Sequence, residues 1–481
     1  MPILGEQQQA TFDRLRLALD NSRITFDLLD RYYDGQQELE QLGLAIPANL
    51  VRFTVVVDWP RVVADARADR LDVKGFRLPG ADTGDEELWD LWQANDLDES
   101  DLQARLDYQV FGRCFHCIGP NEKDPAHPLI TVESPREIIV EHDPRTREVA
   151  AGLRLYALDQ NSQPTRATLY EKDKTTYLRL EGSTWEIDDS IIGSEDDTPG
   201  VDNHGFGFVP VVPTYRARRT AIPAWQTIAP LQGTSAMTDV IKITDAAARN
   251  LTNAQIAQET HAVPQRGILG ATKGDFVDKA GNQLPVWKAY FGSVWAIANA
   301  NAKQFQFDPS DLRNFYTMTT MYARLASGVS GLPPNYFGLA ADDAASADAI
   351  RSREARLVKA CERDQVALGN AREKVMAIAI AIRDQNPDKV QELRGMECLW
   401  YDAATPTFAS RVDAIVKMHT AVDVSGRPLL PARMAYEELG WSPQKINRAM
   451  AERSAEFLDP YLQAFDEKTK AALGEGPAPK E

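Results

Sequence analysis

Cysteine and histidine are scarce in this sequence, with four and six residues in a chain of 481. So few cysteines in so long a chain argue against a disulfide framework and indicate reduced thiols, as in cytosolic proteins. One local grouping, Cys114, His116 and Cys117, falls in a predicted strand. Because alternate strand residues face opposite sides, the three side chains cannot reach one ion without a bend. We therefore predict neither a metal site nor a cofactor.

Long apolar runs and catalytic motifs are also missing. No stretch of eighteen apolar residues is present, which argues against a membrane span, and the first nine residues lack the basic and apolar regions of a secretion signal. The nearest approach to a phosphate-binding loop, residues 267–274, lacks the order Gly-x-x-x-x-Gly-Lys-Ser/Thr. No Gly-x-Ser-x-Gly motif occurs. We predict no catalytic residues and a protein that is not an enzyme.

Basic residues are outnumbered by acids. Lys and Arg total 53 against 70 Asp and Glu, a formal charge of −17. Residues 84–107 carry nine acids and one base, and residues 186–202 carry seven acids and no base. Tight DNA binding needs clustered cations, so this balance disfavours a protein that grips DNA but not one through which DNA passes. The plainer interpretation of each acidic run is a solvated face.

The remaining pattern is one of helices around a β-rich region. Apolar periodicity predicts helices over residues 11–33, 61–70, 88–109, 231–261, 312–326 and 346–384. Short β-branched and aromatic runs over residues 110–213 predict one antiparallel sheet inserted between helical parts. Residues 51–58 are also β-rich, and residues 193–205 are predicted to form an exposed, mobile loop. The predicted fold class is α+β, mainly helical.

The helix beginning near residue 346 is the most informative element. At about 1.5 Å per residue, roughly forty residues extend about 60 Å, longer than most domains are wide. Its apolar seam passes through five residues, Ile350, Leu357, Cys361, Leu368 and Val375. Because the chain offers little of comparable length to cover this seam, we predict that these residues pack between subunits.

Four stretches, in family order along the chain, resemble the portal proteins of tailed bacteriophages, specifically the siphophage-type family common in phages of actinobacteria. They are LAIPANLVRFTVVVDWP at residues 44–60, GSVW at 292–295 with FQFDPSDL at 305–312, SGVSGLP at 327–333, and SADAIR at 346–351 leading to Leu357 and Val358. The likeness extends over about residues 10–460. One departure is the AADDAAS junction at residues 340–346, where relatives often carry Asn-Pro. How this loop enters the long helix is therefore left open.

The resemblance implies a division into the named parts of a portal subunit. These parts are a wing (residues 1–225, with the β-rich insertion at 110–213), a first stem helix (226–263), a clip (264–308), a second stem helix (309–330), a tunnel loop (331–345), a long wing helix (346–386), a crown (387–465) and a flexible tail (466–481).

The resemblance also implies the function of a portal. Such proteins form a homo-oligomeric ring, dodecameric in the family, at one capsid vertex. The ring is the channel for packaging and ejection of double-stranded DNA, and it docks the large subunit of the terminase and later a head–tail adaptor. The implied partners therefore include the major capsid and scaffolding proteins, with DNA passing non-specifically and no membrane. The implied location is the virion, after assembly in the host cytoplasm.

Two groups of site residues follow from the resemblance. Tunnel-loop residues expected at the DNA channel are Pro333, Pro334, Asn335, Tyr336, Phe337, Asp342 and Asp343. For Tyr336 and Phe337, packing against their own helix is an equal alternative. Clip residues expected to contact the terminase or the adaptor are Trp287, Lys288, Tyr290 and Trp295. At least one of these two tryptophans is expected in the clip's own small core.

Two other classes of function remain as alternatives. One is a different virion structural or adaptor protein without a DNA channel, which imaging for a central hole distinguishes from a portal. The other is an enzyme whose site is assembled from scattered acids of the β-rich region, which a nuclease assay with divalent metal would reveal.

Overall fold

The computed structural model describes residues 4–37, 54–81, 84–191, 198–216, 233–261, 266–269, 303–306, 311–339, 347–404, 408–423, 426–441 and 445–453. The chain divides into two compact units, Met1–Ala403 and Ala404–Glu481. The fold combines helices with antiparallel sheets, so the predicted α+β class is confirmed.

Most described helices of the first unit lie where apolar periodicity predicted them, although the helix predicted over residues 231–261 begins only at Thr238. The helices are α1 (Glu6–Tyr33), α2 (Trp59–Ala68), α3 (Glu86–Ala94), α4 (Leu97–Val110), α5 (Thr238–His261), α6 (Arg313–Ser330), α7 (Ala347–Arg383) and α8 (Lys389–Glu392). The prediction of one helix over residues 88–109 is wrong, because Asp96 takes a left-handed conformation (φ +50°) that ends α3. The side chain of Asn95 stabilises this break by donating to the Pro128 carbonyl and accepting from the Ile130 N–H.

The described strands form several antiparallel sheets, and the single sheet predicted over residues 110–213 is divided into two. The strands are β1 (Val73–Arg77), β2 (Arg113–Gly119), β3 (Leu129–Glu133), β4 (Ile138–His142), β5 (Val149–Leu158), β6 (Pro164–Tyr170), β7 (Thr175–Glu181), β8 (Thr184–Ile187), β9 (Val201–Asp202), β10 (Val211–Tyr215), β11 (Arg266–Leu269), β12 (Lys303–Gln306) and β13 (Glu397–Trp400).

The β-rich region itself contributes two sheets. One has six strands, in the order β4-β5-β6-β7-β8 with β9 paired to β7, and the other has three, in the order β10-β2-β3. Helix α1 covers the larger sheet, because its apolar face, including Phe12, Leu15 and Leu19, shares a core with Leu153 and Trp185. An amphipathic helix on a half-buried sheet accounts for the alternating burial of these strands.

Two local predictions are wrong. Residues 54–58, the described part of the β-rich stretch at 51–58, have no regular secondary structure, since the Val55 N–H donates to the hydroxyl of Thr252 on α5 instead of to a strand. Residues 198–205 are not simply an exposed loop. Val201 and Asp202 extend the six-stranded sheet by pairing with Thr176 and Thr175.

The second unit contains α9 (Phe408–Thr420), α10 (Ala432–Glu438) and a helical stretch at residues 445–453. A small core joins Ile415, Leu430 and Ala435. The predicted crown began at residue 387, but β13 within it pairs with β1 of the first unit. No helix in the described ranges is both long and apolar enough to cross a bilayer.

Candidate functional site

Helices α5 and α6 form a closely packed pair. Their shared core includes Ala247, Ala248, Ala323 and Ala326, and small side chains allow two helix backbones to approach closely. The side-chain amide of Asn250 strengthens the contact by donating to the Phe315 carbonyl at 2.8 Å and to the Thr319 hydroxyl at 3.0 Å. The two helices predicted to form a stem therefore lie side by side.

The opposite face of α6 is apolar and uncovered in the protomer. Met318, Met321, Leu325 and Val329 recur at spacings of three, four and four, which places them on one helical face. Their exposed fractions are 38%, 51%, 46% and 46%. We call these four residues the α6 stripe. Four adjacent apolar side chains on one exposed face are a typical protein-interaction surface.

Beyond this helix pair, the chain continues into the predicted clip. Strands β11 and β12 pair antiparallel, with Arg266 opposite Gln306 and Leu269 opposite Lys303. The chain that leaves α5 through β11 thus returns through β12 toward α6. The predicted contact residues Trp287, Lys288, Tyr290 and Trp295 lie outside the described residues.

The segment after α6 is held within the protomer. Gly331, with φ +77°, ends α6 in the left-handed conformation that glycine adopts without strain. Pro334–Phe337 then forms one 3₁₀ turn. Phe337 is buried, and its ring meets that of Trp59 edge to face with centroids 5.7 Å apart. The expectation that Phe337 faces a channel is therefore not met, because the ring belongs to the core of the first unit.

Arginines from two other helices hold the same segment. Arg67 of α2 donates to the Ser330 carbonyl at 2.8 Å, and Arg356 of α7 donates to the Gly328 carbonyl at 3.0 Å. Arg70, two residues beyond the end of α2, donates to the Tyr336 hydroxyl at 3.3 Å. Arg67 and Arg356 satisfy carbonyls at the C-terminal end of α6, where the helix dipole favours positive charge.

Arg70 is the centre of this anchor. It forms an ion pair with Glu354 of α7 at 3.1 Å and also donates to the Ala403 carbonyl at 3.1 Å. Burial alone would lower the pKa of Arg70, but the hydrogen bonds to Glu354 and Tyr336 more than offset it, so the pKa is raised. The guanidinium therefore stays charged and links the turn that follows α2 to α7 and to the 3₁₀ turn.

The remaining tunnel-loop predictions divide by position. Pro333 is buried, Tyr336 is half-buried, and Pro334 and Asn335 are exposed. Asp342 and Asp343 lie outside the described residues. Of the predicted channel residues that are described, only Pro334 and Asn335 are thus freely available at a surface of the protomer.

The long helix α7 is covered by its own chain. Leu357, Cys361 and Leu368 lie in one buried core, and Val375 lies in a second. The prediction that these four residues pack between subunits is wrong, because α2, β2, β3, β10 and β13 all pack along α7. The side chain of the fifth predicted residue, Ile350, lies outside the described residues.

A buried ion cluster fixes α7 to the adjoining elements. Arg372 of α7 is 0% exposed, and its Nη2 lies 2.5 Å from the Oδ1 of Asp101 on α4. The Nε2 of His116 on β2 lies 3.7 Å from the same oxygen. Burial would raise the pKa of Asp101, but Arg372 and His116 hold it below its usual value. Burial, assisted by Arg372, lowers the pKa of His116.

Possible metal ligands lie apart from one another in the described part of the chain. Within the described ranges, no group of three or more His, Cys, Asp or Glu side chains is placed to hold an ion. Cys114 and Cys117 are both buried, and burial raises the pKa of the Cys114 thiol to about 12. The neutral thiol is a poor metal ligand and a poor nucleophile.

Replacing Phe337 by alanine tests its place in the core. We expect the substitution to lower the free energy of unfolding of the first unit by about 3–5 kcal/mol, because it empties a filled site against Trp59. Asn335→Ala in the same turn is the matched control, with an expected change within about 0.5 kcal/mol because Asn335 is exposed. Urea denaturation of both variants measures the difference, and equal small effects would contradict the assignment.

Similarity to known proteins extends over most of the chain. Residues 14–432 match the family described as phage portal protein, SPP1 Gp6-like. The portal protein of Mycobacterium phage D29 is 34% identical over 454 residues, covering 92% of this chain and 85% of that protein. The portal protein of Mycobacterium phage L5 is 34% identical over 419 residues, covering 85% and 81%. A chain from the virion of a native gene transfer agent particle aligns with a TM-score of 0.42 at 13% identity, covering 87% of this chain and 94% of its own length.

The family match extends over most of the chain, and both phage relatives exceed 30% identity over most of their length. The chain therefore belongs to the phage portal proteins. The resemblance drawn from the four sequence stretches is confirmed, and with it the role of a phage portal protein.

Several functional residues escape prediction from the sequence. Arg67, Arg70 and Arg356 anchor the segment after α6, yet isolated arginines on helices carry no motif. The α6 stripe did have a signal, its three- and four-residue spacing. That spacing could not reveal which face of α6 the chain itself covers, since the covered face is built from small residues.

Proposed function

We propose that the chain closes into a homo-oligomeric ring, a dodecamer, whose central opening conducts double-stranded DNA into and out of the capsid. The observation that carries the ring is the α6 stripe, an apolar face that the protomer leaves uncovered. In a ring, each interface joins one face of a subunit to a different face of its neighbour. The stripe supplies one such face beside the helix pair α5/α6.

The negative charge of the chain is better suited to a channel through which DNA passes than to a protein that binds DNA tightly. A protein carrying −17 overall offers duplex DNA little of the clustered positive charge that holds phosphates. Repulsion between acidic walls and phosphates would let the duplex slide, and salt would screen this repulsion. The ring itself acts as a structural, non-enzymatic channel, with a separate terminase driving DNA movement.

The tunnel loop is proposed to narrow the channel through its later residues. The turn Pro334–Phe337 is held by Trp59 of α2 and by Arg70, which follows that helix. It therefore serves as the base of the loop, and Asp342 and Asp343, further along, remain the proposed channel-facing residues. Pro334 and Asn335, which are exposed, remain candidates at the loop's base.

Partner contacts are proposed at the clip and at the capsid. Trp287, Lys288, Tyr290 and Trp295 are the proposed contacts for the terminase large subunit during packaging and for a head–tail adaptor afterwards. Major capsid and scaffolding proteins would surround the ring during assembly in the host cytoplasm, and the finished location is the virion. Loss of adaptor binding on substituting Lys288 or Tyr290 would support the clip assignment.

Reversing the charge of the tunnel loop tests the channel. We expect Asp342→Lys with Asp343→Lys to reduce the DNA packaged per prohead by about tenfold at low salt, because cations in the channel would bind phosphates, and by less at high salt. Nuclease-protected DNA in proheads is the readout. Asp342→Asn with Asp343→Asn is the control, since it removes charge without adding attraction. Equal packaging by the two variants would contradict a channel-facing loop.

The function as a whole is tested with proheads assembled with and without this chain. Proheads that contain it should take up DNA when a terminase and ATP are supplied, and proheads that lack it should not. Equal DNA uptake by both would overturn the proposed function.

A further inference from the structure

Helix α1 carries an apolar row on the side that faces away from its core. Leu17, Ile24 and Leu28 recur at spacings of seven and four, so they lie on one helical face. Their exposed fractions are 60%, 79% and 43%, and Ile24 is the most exposed large apolar side chain in the described part of the chain. We call these three residues the α1 stripe. Since the opposite face of α1 is buried on the six-stranded sheet, both faces are apolar, which is typical of a helix that is covered on both sides.

The α1 stripe has one counterpart of the same kind, the α6 stripe. Among the described helices of the first unit, only α1 and α6 carry more than one exposed large apolar side chain. Met318, Leu325 and Val329 of the α6 stripe repeat the spacing of seven and four that is found in the α1 stripe. Equal spacing lets the side chains of two helices interdigitate along their length.

The two stripes do not meet within one protomer. Helix α5 packs on α6 through Asn250, on the side of α6 opposite to the α6 stripe. Helix α5 also contacts α1, because Ile241 packs against the core that contains Phe26, and the Tyr32 hydroxyl donates to Asp245 at 2.8 Å. Both stripes remain exposed in this arrangement. A ring brings such different surfaces of neighbouring subunits together.

Unpaired charges near the two stripes favour contact between them. Residues 313–330 contain two arginines and no acid, and both Arg313 and Arg324 are exposed without a carboxylate partner among the described residues. On α1, Glu6 and Asp13 lie on the face of the α1 stripe, exposed and without a cationic partner in the described ranges. Arg31, at the far end of α1, is the one arginine of this helix not paired with a carboxylate there, since the other three already pair within the protomer. Contact between two α6 stripes would instead gather arginines alone.

We propose that the α1 stripe of one subunit packs against the α6 stripe of its neighbour, so that a second copy of this chain covers the exposed face of α1. The inference rests on the proposed ring. It names the second of the two different surfaces that each interface of the ring joins, where the α6 stripe alone supplied the first.

Crosslinking between introduced cysteines tests the proposal. Ile24→Cys combined with Leu325→Cys places one thiol in each stripe, and a short bis-maleimide should join neighbouring subunits into a ladder of covalent oligomers on a denaturing gel. Each single variant has a thiol in one stripe only and should give no ladder. Leu158→Cys with Leu325→Cys is the matched control, because Leu158 is exposed outside the α1 stripe and should not be crosslinked. The four natural cysteines are present in every variant, so their background is the same.

An exchange of charge between the stripes is an independent test. Ile24→Lys and Leu325→Glu should each raise the concentration at which half of the chain is assembled by about tenfold or more, because each sets a charge against an apolar partner. Combining them should recover most of the loss, since the new lysine and glutamate face each other at every interface. Mass photometry measures the midpoint, and circular dichroism establishes that each variant is folded. Ile24→Lys with Leu158→Glu is the control and should not recover.

The contrary outcomes separate this proposal from the ring itself. Closed rings in which the double-cysteine variant gives no ladder would overturn the proposal and leave the ring standing. An unmodified chain that never assembles would overturn both. Crosslinked dimers of the Leu325→Cys variant alone would show that two α6 stripes meet each other. If Ile24→Lys destabilises the protomer but leaves assembly unchanged, another part of the same chain covers the α1 stripe, and the proposal fails.

Discussion

Replacing Met321 and Leu325 of the α6 stripe by glutamate should leave the protomer folded and abolish its assembly. Each of these side chains is about half exposed in the protomer, at 51% and 46%, so little of the protomer's own packing is lost. Mass photometry should then show monomers at concentrations where the unmodified chain forms large assemblies.

The size of this effect follows from burial at the interface. Covering the exposed half of one such side chain contributes about 0.8–1.5 kcal/mol, so two lost at every interface amount to about 1.5–3 kcal/mol. A weakening of that size raises each dissociation constant by at least about tenfold. Burying the new carboxylates without partners would add to the loss.

A matched control separates the stripe from general surface charge. Leu158→Glu, at the end of β5, adds a carboxylate at a leucine that is 62% exposed and should leave assembly unchanged. Circular dichroism of both variants establishes that the helices persist. If the double-glutamate variant assembles fully, the α6 stripe does not lie in the interface between subunits.

Removal of Arg372 should produce a large loss of protomer stability. Arg372→Met takes the closer cation from the buried Asp101 carboxylate and leaves it only Arg105, whose Nε lies 3.3 Å from Oδ2, and breaking a buried ion pair costs about 3–5 kcal/mol. Since Asp101, Arg372 and His116 join α4, α7 and β2, unfolding of the whole first unit should shift to lower denaturant concentration. Urea denaturation followed by circular dichroism measures the shift.

Two further variants test whether the loss of stability comes from the buried pair of Asp101 and Arg372. Lys359→Met on the same helix breaks an exposed ion pair with Glu362 and should change stability by less than about 1 kcal/mol. Combining Arg372→Met with Asp101→Leu should cost less than the sum of the single substitutions, because it also removes the carboxylate that has lost its closest cation. A strictly additive double variant would show that Asp101 and Arg372 do not act as a pair.

Element type was predictable from local pattern in most of the chain. The periodicity of α1, α5, α6 and α7 places each helix correctly, because each buries one apolar face. Failures occurred where a tertiary contact decides the outcome. Asp96 ends α3 through a left-handed conformation, which is supported by the contacts of Asn95 with the start of β3. The sequence around Asp96 gives no sign of these long-range contacts.

The candidate site was predictable in outline but not in its contacts. The seam of α7 was recognised correctly, yet whether neighbours in the protomer or in the ring cover it depends on β2, β10 and β13, which lie far away in sequence. In the same way, Phe337 looked like a loop residue until its contact with Trp59 placed it in the core. Residue patterns identify apolar faces, and only the fold shows which of them remain uncovered.

Cryo-electron microscopy of the purified chain tests ring formation most directly. We predict closed rings with an open axis, in which the α6 stripe of each protomer lies against its neighbour. Compact monomers at tens of micromolar, or assemblies without an axial opening both in solution and in proheads, would contradict the proposed channel.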